Sequence, residues 1–197
     1  MKTTSILIIS LLFLSISVKA TYAQIKNNPL SNKIVIVVHI QEDFGEDQLT
    51  KESTADAIIK INQVIEEAEP ENVIYARSIH KILNLTLKKI YVDKIDLELD
   101  DRLKIVNQNT FSDNNGNVFT SGGLIEYIKG KNINEVVIIG RVAEGCITKT
   151  ILGGKKLGYE MYIISDAIIG KSEKSKAKAL NKLKEKGVKE LTYSSKF

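Results

Sequence analysis

The chain of 197 residues has one cysteine, two prolines, two histidines and no tryptophan. A single cysteine excludes an intramolecular disulfide framework. Two prolines and 12 glycines exclude collagen-like and low-complexity architectures. A large excess of either charge is also lacking. Lysine and arginine total 28 against 24 acids, a net +4, which falls to +2 once Lys2 and Lys19 are set aside. That balance, with no basic run interleaved with aromatics, argues against a nucleic-acid partner. Beyond the first 23 residues no stretch approaches the ~20 apolar residues that span a bilayer. What remains, 43% hydrophobic and 26% charged, is the composition of one globular domain.

The amino terminus reads as an export signal. Lys2 supplies a positive start, Ile6 to Val18 is apolar apart from three serines, and Ala23 offers a small residue before a cut ahead of Gln24. The apolar stretch is too short to span a membrane. Residues 1–23 are therefore expected to be a cleaved signal peptide and 24–32 a polar linker. The folded domain is expected over 33–197, with the mature chain periplasmic or secreted. In an oxidising compartment the lone Cys146 has three readings: buried filler, an intermolecular link, or a reactive thiol.

The rest alternates strands and helices. Lys33–Val38 is a β-branched run, the mark of a strand buried on both faces. A helix starting at Thr50 or Ser53 runs to about Ala68, with Ala57, Ile58, Ile61, Val64 and Ile65 at helical spacing. Further strands are expected at 72–76, 104–106, 135–139, 160–164 and 188–193, and helices at 122–129, 146–157 and 172–186. Residues 81–101 read as part of a cover over the site. Alternation of this kind predicts an α/β three-layer sandwich, a central mostly parallel sheet flanked by helices.

Ligands bind such sheets outside the carboxyl ends of the strands. The residues at those ends are His39, Ser78 and His80, Gln108, and the loop from Gly140 to Cys146. Cys146 falls at the start of a helix, where free N–H groups favour a thiolate and could hold an oxyanion. Arg141 could bind a substrate carboxylate or point to solvent. Phe44 and Phe111 are further candidates for substrate contact, and Phe44 fits the core equally well. The lysine-rich stretch 171–189 reads as the solvated face of a helix.

Four segments in order carry a family resemblance: residues 35–44 (VIVVHIQEDF), 107–112 (NQNTFS), 140–150 (GRVAEGCITKT), and 158–167 from Gly158-Tyr159 to Asp166-Ala167. Together they resemble the isochorismatase-like cysteine hydrolases over residues 33–195. The resemblance implies a three-layer fold, a Cys nucleophile at Cys146, an Asp that takes its proton and a Lys that polarises. It also implies a cis peptide at Val142–Ala143, with an oxyanion hole formed by the amides of Ala143 and Cys146. Dimers or larger assemblies are implied as well.

This chain departs from the pattern. The aspartate position holds His39 and the lysine position, counted back from Phe111-Ser112, holds Gln108. An Asp-x-His metal pair of some members is here Ser78-Ile79-His80, so no metal and no other cofactor is expected. Two readings stay open. In one, Cys146 attacks a small amide or ester with His39 as base, Asp43 orienting the imidazole and Gln108 bonding substrate. In the other, the scaffold binds a small ligand without catalysis.

Overall fold

The computed structural model describes residues 28–42, 51–85, 90–113 and 115–192. The segment 1–23, the site candidate Phe44 and the proposed orienter Asp43 lie outside them. Among the described residues seven strands and four α-helices follow one another. They are β1 (Ile34–Val38), α1 (Lys51–Glu67), β2 (Val73–Leu85), β3 (Ile90–Asp96), β4 (Thr110–Asp113) and α2 (Leu124–Lys131). Then come β5 (Glu135–Arg141), α3 (Thr148–Lys156), β6 (Glu160–Ile169), α4 (Glu173–Glu185) and β7 (Lys189–Glu190).

Six strands form a parallel sheet in the order β4-β2-β1-β5-β6-β7. β3 pairs antiparallel with the far half of β2. The chain steps outward from β1 through β2 to β4, then returns beside β1 as β5 and steps the other way. The reversal point of the order therefore falls between β1 and β5, where open α/β sheets bind ligands.

Strand periodicity divides the core. Val35, Val37, Val73, Tyr75, Val137 and Ile139 face α1, whose Ala57, Ile58, Ile61, Val64 and Ile65 cover them. Ile34, Ile36, Val38, Ile74, Val136 and Ile138 face the opposite way. There Leu124 and Ile128 of α2, Ile151 of α3, and Leu180 and Leu183 of α4 cover them. The three layers are thus α1, the sheet, and α2 with α3 and α4.

Three sequence expectations are corrected. Residues 104–106 form no strand: Ile105 is exposed, and the Tyr75 hydroxyl bridges the segment, donating to the Lys104 carbonyl and accepting from the Val106 amide. The strand lies later, at β4, because Thr110–Asp113 is the stretch that registers with Tyr75–Ser78. β2 does not stop at Ala76: it continues to Leu85 and pairs antiparallel with β3, so much of the stretch expected to help cover the site belongs to the sheet. The last strand is two residues rather than six.

Candidate active site

β1 and β5 meet tightly at their carboxyl ends. Val38 pairs with Gly140, and a Cβ on Gly140 would stand 2.3 Å from the Val38 carbonyl oxygen. Only glycine fits there, and its φ of +113° suits only glycine. The next residue of β1, His39, adopts φ +53°, a left-handed conformation that costs a non-glycine residue ~1 kcal/mol or more. Its amide donates to the Ala76 carbonyl at 2.9 Å. This turn swings the imidazole inward, leaving His39 1% exposed.

His39 Nε2 lies 2.7 Å from Asp113 Oδ2, and the Cys146 side chain is the ring's second electrostatic partner. Asp113 closes β4, so the acid comes from a strand separated from β1 by β2. Its second oxygen, Oδ1, accepts the amides of Asn115 at 3.1 Å and Gly116 at 2.7 Å. The carboxylate is thereby held in one orientation. Lys149 Nζ, donating to the Asn115 carbonyl at 3.0 Å, and Thr150, whose hydroxyl accepts from the Val118 amide, tie this loop to α3.

Cys146 itself sits in a π-helical turn, Ala143–Ile147, that precedes α3. The expected helix start at Cys146 is therefore corrected to Thr148. Such one-turn widenings concentrate at functional sites. The Gly145 and Ile147 amides both donate to the Val142 carbonyl, and the Thr148 hydroxyl donates to the Ala143 carbonyl at 2.6 Å. The Val142 amide donates to the Cys146 sulfur. Gly116 faces the sulfur from the other side, where a Cβ would approach Sγ to 3.1 Å.

The electrostatics follow from this packing. Burial opposes the His39 imidazolium, but the hydrogen bonds to Asp113 and Cys146, with their charges, outweigh it and raise the pKa from 6.5 to about 9. Burial pushes the Cys146 thiol up. The His39 hydrogen bond and charge, with the Val142 amide, bring it to a net position below its ordinary value. For Asp113 burial likewise raises the pKa, while His39 and the Gly116 and Asn115 amides lower it further. Arg141 is nine-tenths buried. Burial lowers its pKa, partly offset by the charges of Asp100 and Cys146.

The structure redistributes the site candidates. Cys146 and His39 come together. Gln108 does not join them: it is exposed and precedes β4, four to five residues before the end that carries the site. The counted position fell at the amino end of a strand whose carboxyl end holds Asp113. Asp113 is the residue that sequence reasoning missed. Its signal was faint, an acid two residues after Phe111 and just before Asn-Asn-Gly, and the strand had been assigned to 104–106. The cis bond is Arg141–Val142 rather than Val142–Ala143. The amide facing sulfur is accordingly that of Val142, one residue earlier than expected. Phe111 is half-buried and packs on Tyr127 of α2, ring centroids 5.5 Å apart, in the core rather than at the sulfur.

Ser78, at the metal-ligand position, has its amide donating to Gln41 Oε1 at 2.6 Å and offers no carboxylate. Among the described residues no group of three or more His, Cys, Asp or Glu is arranged to hold a metal ion. No described helix is long and apolar enough to cross a membrane.

The isochorismatase domain model matches residues 33–194. No curated protein matches the chain. Among solved structures, a cysteine hydrolase from Pseudomonas syringae superposes with a TM-score of 0.64 at 20% identity, over 83% of this chain and 89% of that one. A pyrazinamidase of Pyrococcus horikoshii in complex with zinc gives 0.62 at 21% identity, over 82% and 99%. An octameric hydrolase of unknown specificity from Escherichia coli gives 0.59 at 16% identity, over 82% and 76%.

Proposed function

Because this chain belongs to the isochorismatase domain family, we propose that it is a hydrolase of small amides or esters running on a Cys146–His39–Asp113 triad. One observation carries the reading: His39 is buried with its Nε2 2.7 Å from the Asp113 carboxylate, and the Cys146 side chain is close enough to raise its pKa. Nucleophile, base and orienting acid stand in the order that activates a thiol. Exchange of the family's aspartate and lysine positions then leaves a working site. The base comes from β1 and the acid from β4.

The chemistry follows. A raised imidazole beside a lowered thiol favours the thiolate–imidazolium pair near neutral pH. The sulfur attacks the carbonyl carbon, and the negative charge moves to the carbonyl oxygen. The Val142 and Cys146 amides are the donors for that oxyanion. On collapse the C–N or C–O bond breaks and the leaving group takes the proton from His39, leaving a thioester on Cys146. Water then gives a proton to His39 and attacks the thioester, releasing the acid and restoring the pair. Asp113 keeps the ring oriented and its charge balanced throughout.

The same reading extends to the chain's setting. Removal of residues 1–23 and export to the periplasm or beyond fit the amino-terminal pattern. The octameric Escherichia coli neighbour supports assembly into a homo-oligomer.

The test is hydrolysis of a panel of small primary amides, N-carbamoyl compounds and esters by the mature chain, with Cys146→Ser as the blank. Turnover that vanishes in Cys146→Ser, with a thioester mass adduct trapped during reaction, is expected. A thiol that alkylates no faster than free cysteine at pH 7 would sink the proposal.

A further inference from the structure

A cleft of about 340 Å³ opens between α3 and α4, reaching Glu144 of the nucleophile turn. The volume falls in the class that small-molecule sites occupy. Its floor is apolar: Leu152 of α3 with Ala179 and Leu183 of α4. Its rim is basic: Lys178, Lys182 and Lys186 follow one another every four residues along one edge. Among the described residues none of these three makes an ion pair, whereas Lys176, Lys184 and Lys189 all do. At one end Glu144 closes the cleft, accepting the Lys171 amide at 3.1 Å and the Ser175 hydroxyl.

An apolar floor beside uncompensated positive charge selects one kind of occupant. We propose that this cleft binds a small anionic amphiphile, an alkyl chain carrying a carboxylate, with the chain on Leu152, Ala179 and Leu183 and the head group among the three lysines. The cleft is too short for a partner helix. α3 has nine residues, about 13 Å at 1.5 Å each, and the strip ends at Glu144. A neutral or cationic amphiphile would gain the floor and lose the rim. The proposal is independent of the hydrolase reading, since none of its contact residues belongs to the Cys146–His39–Asp113 triad.

The experiment is calorimetric titration of the mature chain with decanoate below its micellar range, beside decanol and decyltrimethylammonium. Decanoate is expected to bind one per chain, at least tenfold more tightly than either analogue, and to weaken as salt rises. The exposed double variant Lys178→Glu/Lys182→Glu is expected to lose at least tenfold in affinity. Lys156→Glu, outside the cleft, is expected to change nothing. Equal binding of all three amphiphiles, or a decanoate affinity untouched by the double charge reversal, overturns the proposal. So does self-association of the chain that the double variant abolishes while decanoate fails to bind, because the cleft would then be a contact between copies. Sedimentation of both proteins separates that outcome.

Discussion

Replacing Asp113 by asparagine tests the site at its most specific contact. Asparagine keeps the shape but has one carbonyl oxygen where Asp113 uses two, so its NH2 must face either His39 Nε2 or the Gly116 and Asn115 amides, and the charge is lost. The rise of His39 from 6.5 to about 9 amounts to roughly 3 kcal/mol in favour of imidazolium, at about 1.4 kcal/mol per pH unit. The Asp113 hydrogen bond leads the causes that raise it, and the Asp113 charge adds to it. Losing the ionic part should therefore lower the His39 pKa by more than one pH unit. The assay is direct, because the chain has two histidines: side-chain NMR titration follows two imidazoles, and His39→Ala assigns them. In the wild type one ring should titrate near 9. In Asp113→Asn that midpoint should fall below 8. The stability consequence has a definite sign. A folded pKa above the unfolded value stabilises fully below about 6.5 and is lost as pH rises through about 9. The depressed Asp113 adds stability above about 4, lost as pH falls through its folded value. The melting-temperature gap between the two proteins should thus be widest between pH 4 and 6.5 and shrink beyond 9. A His39 that titrates near 6.5 in the wild type, or does not move in Asp113→Asn, refutes the reasoning.

Further outcomes are equally concrete. Cys146→Ser should lower turnover by roughly 10⁴-fold or more, measured on whichever substrate the panel identifies; residual activity within tenfold would remove Cys146 as nucleophile. His39→Ala removes the hydrogen bond and charge that lower the thiol, and burial with the Asp113 charge then raises it, so that little thiolate is present at pH 7. Allowing for the weaker nucleophilicity of a low-pKa thiolate, iodoacetamide alkylation should slow by about tenfold, and an unchanged rate would count against the pair. Gly116→Ala places a methyl 3.1 Å from Sγ at φ +79°; it should slow alkylation several-fold and cost ~1–2 kcal/mol, read by pH-rate and thermal unfolding together. Gly140→Ala forces a Cβ to 2.3 Å from backbone oxygen, and about 3 kcal/mol or more of stability should go; a wild-type melting temperature would contradict the packing described.

Much of the architecture was legible because it rests on periodicity. Lys33–Val38 and Glu135–Ile139 read as doubly buried strands since nothing polar interrupts them, and both form the sheet centre. The helix from Thr50 or Ser53 to about Ala68 declared itself through apolar spacing, and among the described helices it alone covers one face. His39 and Cys146 were found by the rule that chemistry follows strand ends. Asp113 was not, because β4 is four residues long and only partly apolar. It exists as a strand through its pairing with Tyr75–Ser78, a long-range fact that local pattern cannot carry. The hairpin of β2 and β3 escaped for the same reason. The cis bond was displaced by one residue because three consecutive peptides in the loop look alike in sequence.

His39, Asp113 and Cys146 stand far apart along the chain, 74 residues separating the first two. Each is delivered by a different strand, and none has a neighbour in sequence that could stand in for the others. A segment holding Cys146 alone, or a chain whose β4 has not yet docked on β2, therefore carries an ordinary thiol. The low-pKa sulfur is created by closure of the sheet and vanishes when it opens. Its reaction rate accordingly reports native assembly before any substrate is known, because species short of the finished fold react only at the rate of an ordinary thiol.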